Sequence, residues 1–237
     1  MKNPPWTKDE LILALELYLR DKTSIGNNKH AEVLKLSDEL NSLSFALDHK
    51  KTSSFRNATG VAMKLSNFLR FDPSYKGKGL ERGNKLEKEV WDTYSQNPQK
   101  LSNLKKTILE NIEYLKTEPE DESDDPIIEA SEGKLLTRIH TIRERNKKII
   151  SKKKSSILKK TGSLKCQVCF FDFKTKYGTL GYGFAECHHI KPVSELLPNQ
   201  KTKLEDLAIV CANCHRMIHR SKPWKTINEL QRILNKS

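Results

Sequence analysis

Apolar residues recur at helical intervals from the N-terminus onward. In "TKDELILALELYLR", Thr7 to Arg20, the positions Leu11, Leu15 and Tyr18 share one side of a 3.6-residue repeat, and Thr7 with Glu10 supplies the residue types of a capping box. A helix is predicted there. The same reasoning predicts helices over roughly 31–43, 58–71, 85–94 and 99–115, separated by "DPSYKGKG" and "SQNPQ", whose residues favour turns. Residues 1–116 therefore read as a compact all-helical domain. Within it "RNATGVAMKLSNFLRFDP", Arg56 to Pro73, mixes basic and aromatic residues on a helical frame. That pattern fits a core stripe with solvated ends better than a nucleic-acid face.

The periodicity stops at "TEPEDESDDP", Thr117 to Pro126, which holds six acids, two prolines and no apolar side chain. Such a composition cannot repay the entropy of ordering, so 117–133 reads as an acidic interdomain linker. A tract of this kind can also lie on a basic surface and compete with nucleic acid, but a plain linker is the simpler reading. From Leu135 to about Lys160 one further helix is predicted, with an apolar stripe of Ile139, Ile142, Ile149 and Ile150 among many lysines and arginines. After it, "FAECHHI" and "LAIVC" read as short strands and "ANCHRMIHR" as a helix. The glycines of "YGTLGYG", Tyr177 to Gly183, are expected in a mobile connection between strands. No internal repeat, heptad series or glycine-rich phosphate loop stands out.

Charge divides the chain unevenly. The whole carries +13, yet the stretch from Lys134 to the end has 23 basic against 7 acidic residues, or +16, so the remainder is slightly acidic. A surplus of that size on one region points to a polyanionic partner and gives the basic helix before Cys166 a role in holding phosphates. Apolar residues make up 36% and charged residues 31%, with no run long enough to cross a bilayer. The N-terminus "MKNPPWTKDE" lacks the apolar core of a signal peptide, so a cytoplasmic protein with no membrane partner is expected.

Five cysteines in such a chain argue for metal or thiol chemistry over a disulfide framework. Cys166 with Cys169 and Cys211 with Cys214 form two C-x-x-C pairs, the sulfur shell that a structural zinc ion favours. The 41 residues between the pairs must fold into something of their own. Cys211 to His215 also spells C-x-x-C-H, a haem-attachment pattern, but that reading leaves the other pair unexplained. His215 and His219 lie four apart on one helix face, where they can share a metal with a histidine of the facing strand. Adjacent strand residues point opposite ways, so His188 and His189 take different jobs. Cys187 reads as a small core side chain, although a thiol beside histidines also has the types of a Cys-His nucleophile.

Together, "ECHHI", the two cysteine pairs and "CHRMIH" resemble the HNH endonucleases, or ββα-metal nucleases, over Cys166 to His219. The resemblance implies an α+β protein: an all-helical N-terminal domain, here a DNA-recognition module, then a small ββα-metal nuclease domain with a four-cysteine zinc site spanning 134–237. It further implies that His188, His215 and His219 bind a catalytic divalent cation, Mg2+ foremost, and that His189, facing water, is the general base. Asp206 stands where the family usually has asparagine and would orient that base, with Glu186 assisting either the metal or the base. Phe170 occupies a knuckle position where glycine is common, which predicts a positive φ. Arg143, Arg145, Lys147, Arg216 and Arg220 would contact the DNA backbone.

With "EGKLLTRIHTIRERN" and "CHHIKPVSEL", the chain is also similar to restriction endonucleases of the McrA type, which attack DNA with modified cytosine. The expected substrate is double-stranded DNA, cut to leave 5′-phosphate and 3′-hydroxyl ends. The oligomeric state stays open, a homodimer among the options. Two rivals share the charge pattern: a zinc-dependent nucleic-acid-binding regulator that breaks no bond, and an RNA-processing enzyme. The surplus of histidines over what one four-thiolate zinc needs favours catalysis over the regulator.

Overall fold

A computed structural model describes residues 3–47, 52–79, 83–112, 133–144, 146–191, 202–221 and 223–235. The acidic tract from Thr117 to Pro126 lies outside them. The described parts of Met1–Arg138 form one compact unit, and those of Ile139–Leu196 and Gln200–Ser237 form another.

The first unit is helical: α1 (Lys8–Arg20), α2 (Ala31–Leu43), α3 (Ala58–Asn67), α4 (Lys85–Tyr94) and α5 (Pro98–Glu110). Thr7 and Glu10 close the anticipated capping box at the start of α1. Helix α1 is more than amphipathic, since every residue from Asp9 to Tyr18 is buried and α2 to α5 pack around it. Its acids are buried with partners, as the cost of an unpaired charge requires. Glu10 receives a two-pronged bond from Arg56, at 2.7 and 2.9 Å. Glu16 receives Arg20 and Lys105, and Asp9 accepts the backbone N–H groups of Leu135 and Leu136 at 3.1 and 3.3 Å. The helix predicted over 58–71 ends earlier, at Asn67, and tightens into a 3-10 turn over Phe68–Arg70. In it Val61, Ala62, Leu65 and Phe68 are buried, a core stripe.

The long helix predicted from Leu135 to Lys160 is two helices, α6 (Lys134–Glu144) and α7 (Lys147–Thr161). Asn146 causes the restart: its side chain caps Lys148 and Ile149 while its own backbone is extended. Gly162, at φ 73°, ends α7 in the left-handed conformation that glycine adopts without penalty. The expected mobile link over Tyr177–Gly183 is mostly helical. A short helix α8 (Phe173–Tyr177), capped by Asp172, runs into a 3-10 turn over Gly178–Gly181. Gly181 lies so close to α8 that an added Cβ would meet the Phe173 carbonyl oxygen at 2.0 Å.

Strands β1 (Glu186–His189) and β2 (Leu207–Val210) then pair antiparallel, His188 opposite Ala208 and His189 opposite Leu207. Helices α9 (Ala212–Arg220) and α10 (Ile227–Leu234) follow. The two-residue period of the strands splits the packing in two. Ala208 and Val210 pack with Cys166, Val168, Ile218 and Leu230, whereas Cys187 and Ile209 pack with Leu164, Ala185 and the α7 residues Ile150, Ile157 and Leu158. Cys187 is thus a core side chain, and α7 covers the sheet face opposite α9. No helix among the described residues is long and apolar enough to cross a membrane.

Candidate metal centres

The first C-x-x-C pair sits on a turn tied to the sheet edge, with Gln167 donating its backbone N–H to Ile209 at 2.8 Å while its side-chain oxygen accepts from Ile209 at 3.1 Å. The second pair opens α9: Cys211 is its N-cap residue, and its sulfur accepts from the Cys214 N–H at 3.5 Å. These two anchors bring Cys166, Cys169, Cys211 and Cys214 together, their sulfurs all within 4.8 Å of one another. The Cys169 and Cys211 sulfurs are 3.7 Å apart. A tetrahedron with zinc–sulfur bonds of about 2.3 Å has edges of about 3.8 Å, so the donor set fits a tetrahedral metal.

Burial works to raise the Cys166 thiol, but backbone N–H donors at Cys169, Cys211 and Val168 outweigh it and bring the group below its ordinary value. Burial raises Cys169 and Cys214. Holding four thiolates at once therefore needs a cation among them. Phe170, at the tip of the first turn, has φ 61° and is 68% exposed, as its place in the knuckle predicts.

A second cluster lies across the sheet edge. His188 on β1 and His215 and His219 on α9 each bring a ring nitrogen within 4.8 Å of the others. Their ring centroids are 5.0 to 5.2 Å apart and each pair meets edge to face. Two neighbours aim these rings. Glu186, two residues before His188 and on the same strand face, meets His215 Nδ1 with Oε2 at 2.7 Å. The Trp224 ring stands edge-on to His219 with centroids 4.4 Å apart. With Nδ1–H donating to the carboxylate, His215 keeps its Nε2 lone pair for a metal. Trp224 escaped the sequence reading because nothing local to "SKPWK" marks its approach to α9.

His189 projects from the other face of β1, the side that α7 covers, as strand alternation requires. It does not face water: the side chain is buried, 3% exposed, and Nε2 lies 3.3 Å from the Thr202 hydroxyl. The sequence could not foresee this, because neither Thr202 nor the helix that packs on this strand face adjoins His189 in the chain. Asp206 reaches this region through its backbone, its carbonyl accepting from the N–H of Ile190 at 2.9 Å. Its carboxylate accepts from Lys203 N at 2.8 Å.

Among the residues expected on DNA, Lys147 begins α7 and Arg216 and Arg220 lie on α9, all three exposed. Arg143 belongs to α6, but its side chain and all of Arg145 fall outside the described residues. Helix α7 is fastened by Lys153, which donates to the Leu204 carbonyl at 2.9 Å. Desolvation by burial lowers the Lys153 ammonium below its ordinary value.

Two clusters, one all sulfur and one all imidazole, thus lie on a strand pair followed by a helix, each with a donor set that could hold a metal ion. The sequence model of the family described as HNH endonuclease matches residues 166–221, a segment that contains every member of both clusters. A family of that description implies nucleic acid as the partner and divalent metal in the chemistry. Comparison with curated proteins and with solved structures gave no match.

Proposed function

We propose that this chain is an HNH-type endonuclease that hydrolyses phosphodiester bonds of double-stranded DNA, and that it restricts foreign DNA. The observation that carries the reading is the separation of the two clusters. Four cysteines suffice for a structural zinc ion, so three further imidazoles converging beside them call for a second, catalytic ion. A structural regulator would have no use for that second cluster.

When bound by His188, His215 and His219, a divalent cation, Mg2+ foremost, supplies Lewis-acid polarisation of the scissile phosphate. The remaining work belongs to the protein. His189 is assigned as the base that takes the proton of the attacking water on an imidazole nitrogen, a role that requires its buried ring to open to water. The Thr202 hydroxyl at Nε2 fixes the plane of that ring. Asp206 holds the end of β1 by its carbonyl bond to Ile190, so it positions the base through the backbone. Glu186 keeps His215 in the ligating tautomer. Lys147, Arg216 and Arg220, with Arg143 and Arg145, draw in the phosphate backbone, each contact adding to the salt dependence of binding.

The N-terminal helical unit is assigned substrate choice, with the acidic segment 117–133 as the link to the basic nuclease domain. The test is digestion of matched unmodified and cytosine-modified duplexes with Mg2+ and with chelator. Magnesium-dependent nicks bearing 5′-phosphate and 3′-hydroxyl ends are expected. Faster cutting of modified DNA would mark a McrA-type specificity, and equal cutting would remove it. Absence of cleavage under every divalent ion would leave a zinc-shaped binding protein instead.

A further inference from the structure

Between the first cysteine pair and β1 the chain places an aromatic surface that neither metal cluster uses. Tyr177 is 54% exposed, Leu180 85%, Tyr182 59% and Phe184 53%, four large apolar side chains within eight consecutive residues. Scattered exposed apolar residues need no explanation, but this grouping does. The surface is also well supported. Phe173 underlies it, with ring centroids 4.7 Å from Phe184 and 6.0 Å from Tyr177, and Phe171 and Phe173 are seated on the core that holds Cys166, Cys211 and Cys214. The contact of Gly181 with the Phe173 carbonyl fixes the turn beneath the tyrosines.

Charge selects the occupant. Lys174 lies with its ammonium 5.3 Å from the Tyr182 ring centroid, and Lys176, two residues on, is exposed. Asp172 is the one acid between Lys165 and Ala185, and its carboxylate is committed to the backbone N–H groups of Lys174 and Thr175. Rings interleaved with lysines, in a stretch of chain with no other acid, suit a polyanion whose π faces are accessible. In a duplex the base faces are stacked away, whereas unpaired nucleotides offer both the base face and the phosphate.

We infer that the surface of Tyr177, Leu180, Tyr182 and Phe184, with Lys174 and Lys176, is a stacking site for unpaired nucleotides. The inference rests on the nucleic-acid reading of this unit but not on hydrolysis. A substrate with a melted, mismatched or single-stranded flank would be held there by its bases while the basic helices hold its backbone.

The test uses the full chain carrying His189→Ala, so that binding is read without cleavage, and fluorescence anisotropy with labelled oligothymidylate and with a duplex of the same length. Tyr182→Ala and Phe184→Ala should each weaken oligothymidylate binding roughly tenfold or more while duplex binding stays within about twofold. Tyr182→Leu, which keeps apolar bulk without a ring face, should lose as much as the alanine variant, and Tyr182→Phe should retain affinity. Lys174→Gln should weaken both probes. Unchanged oligothymidylate binding in Tyr182→Ala and Tyr182→Leu, or equal loss on both probes, would overturn the inference. Circular dichroism and zinc content show that each variant is folded. Selective loss in the His189→Ala background, alongside a wild-type chain that cuts nothing under any divalent ion, would leave the stacking site standing and the nuclease reading fallen, and cleavage by the wild type with no selective loss would separate them the other way.

Discussion

Glu186 Oε2 and His215 Nδ1 lie 2.7 Å apart, bridging the strand and the helix that together carry the imidazole cluster. The contact joins a residue of β1 to one of α9, so the carboxylate both orients the His215 ring and ties together the two elements that carry the cluster.

Glu186→Gln keeps the shape but weakens the pull on the His215 proton. Metal affinity at the imidazole cluster should fall about 10- to 100-fold, read by titration of the divalent ion against cleavage or by calorimetry, with the zinc content of the cysteine cluster unchanged. Equal metal affinity would mean that the carboxylate does nothing for the ligand.

The four-thiol cluster should behave independently. Cys211→Ser removes one sulfur while leaving a good N-cap residue at the start of α9, and is expected to cost tightly bound zinc and to lower the thermal midpoint. Zinc per chain measured by elemental analysis checks this, and an unaltered value would remove the four-cysteine assignment.

Phe170 has φ 61° with its side chain mostly in solvent, so little packing offsets the strain of a left-handed conformation. Phe170→Gly should stabilise the protein by about 1 kcal/mol, measured by chemical denaturation in the zinc-loaded state. A loss of stability would show that the exposed ring is held by something more than the turn.

In the helical unit, burial pushes Asp9 up from its ordinary value of 3.8 to about 7, against the opposing bonds from Leu135 and Leu136. The folded state therefore takes up a proton that the unfolded chain gives up. The stabilisation from this group is complete below about pH 4 and lost as pH rises through about 7. Stability of the wild type relative to Asp9→Asn should fall across that window, measured by denaturation at a series of pH values. A constant difference would show that Asp9 is ionised throughout.

The start of α1 was legible because capping residues act locally: Thr7 sits before it with Glu10 three positions on, whereas Thr226 with Glu229 carries the same signal for α10, a helix the sequence reading did not name. Both metal clusters were legible too, since C-x-x-C and His-x-x-x-His spacings are fixed by a turn and by one helical repeat. What stayed hidden depends on distant chain segments. The N–H groups that Asp9 meets lie more than a hundred residues away, and Thr202 and α7 reach His189 from either side of β1 in sequence. The break at Asn146 had a local signal, an N-cap residue type, but the lysine-rich pattern continued across it and concealed the restart.

The central claim is that His189, on the opposite strand face from the three ligating histidines, is the base. Single-turnover cleavage of duplex DNA by His189→Ala with saturating Mg2+ tests it most directly. The account predicts that the rate falls by about 100- to 10,000-fold, with zinc content and DNA affinity retained. Cleavage at the wild-type rate by that folded variant would contradict it.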